Sequence, residues 1–144
     1  MPTIDVRMKG KKWERAACML IRDWFPDVRT KRAGGETAKQ DRGRDLLGTP
    51  AWCVQVKARQ AALVGSTEPA KWLREAEKAT IPGERPLVLW KPNRKDWCVV
   101  FYSIRDGWPW HSTLVVFEQL PNSGGYSFRV TARATPELLR ELFG

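Results

Sequence analysis

The first residues that could do chemistry are an amide and a lysine, Gln55 and Lys57, in the stretch WCVQVKARQ. Its alternation predicts a strand, with Trp52, Val54 and Val56 on one face and the two polar residues on the other. Because residues two apart in a strand are neighbours, the amide and the ammonium group lie side by side. An amide oxygen can bind a hard cation, and a lysine can orient or activate a water.

Two carboxylates could join this pair. Asp45 lies at the start of a predicted strand, and a turn at 48–50 folds it back roughly opposite residues 55–57. Glu14 lies beside the apolar stripe of the first predicted helix and could point along the sheet toward this hairpin. We therefore expect four side chains to converge on one sheet face: Glu14, Asp45, Gln55 and Lys57. Convergent oxygen ligands are what Mg²⁺ requires.

Two helices must position these groups. Apolar residues at helical spacing predict the first at 11–24, and Pro26 ends it. The second is predicted at 67–80, with Thr67 as N-cap and a buried side that includes Trp72, Leu73 and Ala76. Residues 1–10 are expected to be a loose basic arm.

The remaining segments predict a sheet. A short strand at 27–32 and a basic glycine loop at 33–44 precede the hairpin. Two strand pairs follow, 86–90 with 97–104 and 114–120 with 126–132, and a last helix begins after Thr135. The order predicts one α/β domain over 1–144, a mixed sheet flanked by helices, with residues 105–144 as a C-terminal β/α extension.

The charge of the chain suggests a polyanionic partner. The net charge is +9 and the pI is near 9.9, and a basic balance of this size is typical of proteins that bind nucleic acid. A surplus of charge that only maintains solubility is the alternative. No apolar run approaches the ~18 residues of a membrane helix, and the N-terminus has no signal-peptide core, so no membrane association is expected.

Other site chemistries find little support. The single histidine, His111, argues against a multi-histidine metal site or a Ser-His-Asp triad. The phosphate-binding glycine loops of nucleotide hydrolases and dinucleotide enzymes do not occur. Cys18, Cys53 and Cys98 lack metal-ligand spacing and are expected to be reduced thiols. Trp13 is expected in the core, together with Trp52 and Trp72.

The local sequence motifs resemble those of one nuclease family. A helix acid, an aspartate and a strand ending in V-x-V-K are similar to the PD-(D/E)xK superfamily. The combination of G-x-x-W-E-R, K-R-x-G-G, D-R-G-x-D, V-x-V-K and W-L-x-x-A-E, over residues 9–104, resembles the Holliday junction resolvases of bacteriophages and their archaeal-type relatives. The resemblance implies a restriction-endonuclease-like fold, a homodimer, four-way junction DNA as substrate, Mg²⁺ or Mn²⁺ as cofactor, and the cytoplasm of a phage-infected bacterium.

The resemblance also assigns roles. Glu14 matches the helix acid, Asp45 the metal-bridging aspartate and Lys57 the catalytic lysine, and the backbone carbonyl of Val56 would be a further metal ligand. Asp45 is preferred to Asp41 because it directly adjoins the strand. Arg32 matches a basic residue expected on the DNA backbone. The full set expected to contact DNA is Lys11, Lys12, Arg29, Lys31, Arg32, Lys39, Arg42, Arg44 and Arg59.

Gln55 departs from the pattern. The family has a metal-binding glutamate at this position, and an amide binds a hard divalent cation far less well. One interpretation is an inactivated form, since Glu→Gln is nearly isosteric and Glu14, Asp45 and Lys57 are all retained. The alternatives are an enzyme with weaker metal binding, a relative that only binds branched DNA, or a nuclease of the same fold acting on other recombination or repair intermediates.

Overall fold

The computed structural model describes residues 6–25, 30–32, 45–49, 52–60, 64–92, 96–102, 117–121 and 123–130, with only the backbone described at 6–10 and 31–32. Two helices are present in these ranges, α1 (Val6–Trp24) and α2 (Glu68–Lys78). The strands are β1 (Lys31–Arg32), β2 (Leu46–Leu47), β3 (Trp52–Arg59), β4 (Arg85–Pro92), β5 (Cys98–Tyr102), β6 (Phe117–Gln119) and β7 (Gly125–Arg129).

Five strands form a mixed sheet in the order β3-β4-β5-β7-β6. Only the β3–β4 pair is parallel, and the other neighbours are antiparallel. Parallel neighbours need a crossover, and α2 supplies it between β3 and β4. The expected α/β class with a mixed sheet and packed helices is therefore confirmed.

The two helices pack on opposite faces of this sheet. Along β4, Leu87 and Leu89 join the core cluster under α1, while Val88 joins the cluster under α2. The alternation continues in β5, where Val100 packs on the α2 side. Because strand side chains alternate, each interior strand contributes to both cores.

The predicted helices form, with two differences. In α1, Ala17 and Ile21 of the predicted stripe are fully buried, but the helix begins at Val6. The expectation of a loose arm is therefore wrong for residues 6–10, where one glycine among good helix formers costs only about 1 kcal/mol. In α2, Thr67 occupies the N-cap position, but its side chain makes no capping hydrogen bond.

The predicted hairpin is correct at its turn and wrong in its ladder. Trp52 N–H donates to the Thr49 carbonyl at 3.0 Å, which closes the turn. However, β2 pairs with β1, and the ladder partner of β3 is β4. β2 therefore forms no ladder with β3, and β1 and β2 make a small separate sheet.

Strands β6 and β7 are an integral part of the central sheet. The predicted pairing of β6 with β7 is confirmed, and β7 also pairs with β5. This segment therefore continues the central sheet and is not appended to it. The predicted last helix and His111 lie outside the described residues.

Cys18 and Cys53 are buried and Cys98 is half-buried, and none of the three forms a disulfide in the part of the chain that the structure describes. No helix in the described ranges is both long and apolar enough to cross a membrane.

Candidate functional site

Asp45 is fixed against the outer edge of β3. Its N–H donates to the Val54 carbonyl at 3.1 Å, and its Oδ2 accepts from the Val56 N–H at 2.7 Å. The carboxylate thus takes the place of a backbone acceptor where β2 departs. Because the N–H and carbonyl of one strand residue point to the same edge, the Val56 carbonyl faces the Asp45 side as well.

The turn after β2 holds Asp45 in place. Gly48 has φ 72°, a left-handed conformation that strongly favours glycine. Thr49 Oγ1 donates to the Trp52 carbonyl at 2.9 Å, and Thr30 Oγ1 reaches the Gly48 carbonyl at 3.4 Å. Arg22 of α1 donates through Nε to the Thr30 carbonyl at 2.9 Å. A chain of contacts therefore links α1 to the turn that positions Asp45.

The environment of Asp45 raises the pKa of its carboxyl group to about 6. Burial is the main cause, opposed by the Val56 N–H bond; the negative charge of Glu14 raises the pKa further and the positive charge of Lys57 lowers it. Glu14 and Lys57 therefore both act electrostatically on Asp45. A bound cation would stabilise the ionised carboxylate that burial disfavours.

Gln55 carries a buried acceptor without a partner. The residue is 8% exposed, and its Oε1 has no hydrogen-bond partner within the described part of the chain. A buried unsatisfied acceptor costs roughly 1–3 kcal/mol, so it requires an explanation such as a bound water or ion. This orphaned oxygen fits a site that holds a hydrated cation.

Lys57 lies on the α2 side of the sheet. Its Nζ is 3.8 Å from Oε2 of Glu75, a residue of α2, and the Lys57 side chain is only 22% exposed. Alternation places Gln55 on this same face, whereas Glu14 belongs to α1 on the opposite face. The expectation that all four groups share one face is therefore wrong, because the two helices pack on opposite sides. The four side chains are instead distributed around the edge strand β3, with Asp45 at the edge itself.

The other predicted site residues divide into exposed and undescribed groups. Lys11, Lys12 and Arg59 are exposed, and Arg59 Nη1 donates to the Ala58 carbonyl at 2.9 Å. Lys31 and Arg32 lie in β1, where only the backbone is described. Four expected DNA contacts and the alternative aspartate lie outside the described residues: Arg29, Lys39, Arg42, Arg44 and Asp41. Within the described ranges, no three His, Cys, Asp or Glu residues form a metal-binding group.

Sequence reasoning missed Glu75 and the true environment of Trp13. Glu75 lies in α2 beside the buried stripe of Trp72 and Ala76. Had the sequence been interpreted as a β3–α2–β4 crossover, Glu75 would have been expected to lie over β3. Trp13 is half-buried and lies outside both core clusters, whereas Trp52 and Trp72 are buried as expected.

Comparison with protein-family models, curated proteins and solved structures found no match to this chain.

Proposed function

We propose that this chain is a metal-dependent endodeoxyribonuclease of the PD-(D/E)xK type that resolves four-way DNA junctions as a homodimer. The observation that carries the proposal is the Asp45 carboxylate locked to Val56 on the edge of β3, the strand that also bears the orphaned Gln55 oxygen and Lys57. The restriction-endonuclease-like topology and the junction substrate come from the sequence resemblance alone.

The donor atoms at this edge suit a hard cation. The Asp45 carboxylate, the Val56 carbonyl and the Gln55 amide oxygen would hold Mg²⁺ or Mn²⁺, and Glu14 would support the set electrostatically. A metal bound there would supply an activated water and stabilise charge on the phosphate. All the donors are oxygens, but only Asp45 brings a formal charge directly to the edge, so we expect weak cation binding.

Lys57 would assist the transfer of the phosphoryl group. Its half-buried ammonium group can donate a hydrogen bond to the attacking water or to a phosphate oxygen that gains negative charge in the transition state. Glu75 at 3.8 Å gives the ammonium group a preferred position in the free protein. Exposed Lys11, Lys12 and Arg59 would contact the DNA backbone without reading its sequence.

The decisive experiment restores the missing charge. Gln55→Glu is expected to cut a synthetic four-way junction strongly in Mg²⁺ or Mn²⁺, while the unmodified chain binds the junction and cuts it poorly. Gln55→Glu combined with Asp45→Asn is the matched control and is expected to bind without cutting.

Three results would revise the proposal. A Gln55→Glu protein that binds junctions but never nicks branched DNA contradicts the nuclease assignment and supports a protein that only binds. Cutting of linear duplex as readily as junctions supports a nuclease for other DNA intermediates. Full activity of the Asp45→Asn control moves the metal ligand away from Asp45, with Asp41 the next candidate.

A further inference from the structure

Trp13 is half-buried and lies against a second tryptophan. Its ring meets that of Trp97 edge to face, with centroids 6.1 Å apart and planes at 80°. Trp97 packs against the core on the α1 side, whereas Trp13 belongs to neither core cluster. Trp97 is thus held in place by the core, whereas the Trp13 ring does not pack against either core cluster.

Two ammonium groups lie over the Trp13 ring. Lys12 Nζ is 5.2 Å and Lys91 Nζ 5.9 Å from the ring centroid. Both distances are within the ~6 Å range of cation–π attraction. Lys91 is on the α1 face because it continues the alternation of Leu87 and Leu89. An aromatic face accompanied by cations is the combination by which proteins bind single-stranded nucleic acid.

This cluster lies close to the candidate site. Lys91 is in register with Ala58 of β3, and Ala58 is two residues beyond Val56. The separation is about 6.6 Å along the strand plus a strand spacing of about 4.8 Å. On α1, Trp13 directly precedes Glu14. The cluster is therefore at the carboxyl ends of the parallel pair β3–β4, where ligands bind in open α/β sheets.

We propose that Trp13, backed by Trp97 and flanked by Lys12 and Lys91, binds an unpaired DNA nucleotide, with the base stacked on the indole and the phosphates near the lysines. The base must be unpaired because a base inside a duplex has both faces covered by its neighbours. Lysines that rest on the ring in the free protein are placed to reach the phosphates once a base replaces them. This inference rests on the proposed function, since the strand held here leads to Asp45 and Lys57.

The test measures binding without cleavage. In EDTA, the anisotropy of a short labelled oligo-dT strand and of a duplex of equal length reports affinity for the full chain. Trp13→Ala is expected to lower the affinity for oligo-dT about tenfold, because one base loses its stacking partner, and to change duplex affinity little. Trp13→Phe is expected to retain most of the oligo-dT affinity.

Controls separate stacking from folding and from charge. Met19→Ala changes an exposed residue of the same helix, 65% exposed, and is expected to change neither affinity. Lys12→Ala and Lys91→Ala should each reduce the salt dependence of oligo-dT binding by roughly one phosphate contact. These lysine variants and Trp13→Phe keep the test valid if Trp13→Ala does not fold.

Two results would overturn the proposal. Oligo-dT affinity that is absent in the wild-type chain, or unchanged in Trp13→Ala and in the lysine variants, contradicts a nucleotide site and leaves a protein partner as the occupant. This binding assay needs no metal. Failure of the Gln55→Glu variant to cut DNA would therefore overturn the nuclease assignment without affecting the result for oligo-dT binding.

Discussion

At the scale of single residues, two opposing effects act on the ionised Asp45 carboxylate: a hydrogen bond that stabilises it and burial that destabilises it. The carboxylate accepts a hydrogen bond from the Val56 N–H, yet burial and Glu14 raise its pKa from the ordinary value of 3.8 to about 6. A buried charge that weakens the fold is common at functional positions, since selection for activity tolerates a local loss of stability.

Neutralising Asp45 should stabilise the metal-free protein above pH 6. The folded state holds the proton more tightly than the unfolded state, so stability falls as pH rises through the window from about 4 to about 6. By pH 8 the full cost applies, on the order of 2–3 kcal/mol. Asp45→Asn removes this cost and keeps an acceptor for the Val56 N–H. Urea unfolding in EDTA should show the gain at pH 8 and none at pH 4.

A matched control is Asp23→Asn, which neutralises an exposed aspartate at the end of α1. Its unfolding free energy, measured under the same conditions, shows how much of the change comes from removing an exposed carboxylate alone. Destabilisation by Asp45→Asn that is larger at pH 8 than at pH 4 would instead mean that the ionised hydrogen bond to Val56 outweighs the burial of the charge, and an equal effect at both pH values would mean that the two cancel.

Glu75 is expected to position Lys57 and to contribute little to stability. The pair is partly exposed, so Glu75→Gln should change the unfolding free energy by less than about 1 kcal/mol. In the Gln55→Glu background, nicking should become several-fold slower, with junction affinity unchanged, because Lys57 loses its preferred position. Single-turnover cleavage measures the nicking rate, and fluorescence anisotropy measures the junction affinity. Glu118→Gln, on exposed β6, is the control, and equal rates for the two variants would exclude a positioning role.

At the scale of elements, local patterns predicted which segments fold but not how they face each other. The apolar periodicity around Ala17 and around Leu73 was sufficient for both helices, and alternation was sufficient for β4 and β5. Nothing local states that α1 and α2 lie on opposite faces, which separates Glu14 from Lys57. That fact depends on the crossover between β3 and β4, a relation between distant segments.

The departure of β2 from β3 is a second example. The turn at Gly48 was visible in the sequence because Gly and Pro mark turns. The pairing of β2 with β1 was not visible, because β1 is two residues long and its contacts depend on Arg22 and Thr30. The sequence therefore predicted where Asp45 lies but not what holds it there.

Packing of α2 on the sheet can be tested at Gly125 in β7. A Cβ added there would lie 2.9 Å from Leu120 Cδ1 and 3.1 Å from Leu73 Cδ2. Both leucines are buried, so Gly125→Ala should destabilise the protein by about 1–3 kcal/mol through overpacking. Gly65→Ala, where a Cβ meets nothing within 4 Å, is the control. Similar urea midpoints for the two variants would contradict this arrangement of β7 and α2.

At the scale of the whole molecule, the net charge of +9 should dominate DNA affinity. Metal-free junction binding is expected to weaken steeply with salt, because each neutralised phosphate contributes a slope of about −0.9 on a log–log plot. Lys11→Ala and Arg59→Ala should each reduce the steepness by about one such unit. Lys78→Ala, an exposed change at the end of α2, should not, and anisotropy titrations between low and moderate salt measure all three.

If the Lys78 variant lowers the slope as much as the Lys11 variant, the DNA contacts are spread over both faces. The charge alone predicted a polyanionic partner from the sequence. It does not indicate which face would contact such a partner, because basic residues occur on both helices and in the sequence segment 33–44.

The position of Asp45 also protects the sheet against unwanted growth. β3 is an outer strand, and unpaired N–H and carbonyl groups on such a strand invite a strand from another molecule. Asp45 occupies both the Val54 carbonyl and the Val56 N–H, and a negative charge at that place repels an incoming backbone carbonyl. At the opposite edge, the part of β6 that the structure describes spans three residues. The carboxylate proposed as a metal ligand would thus also limit aggregation through β3.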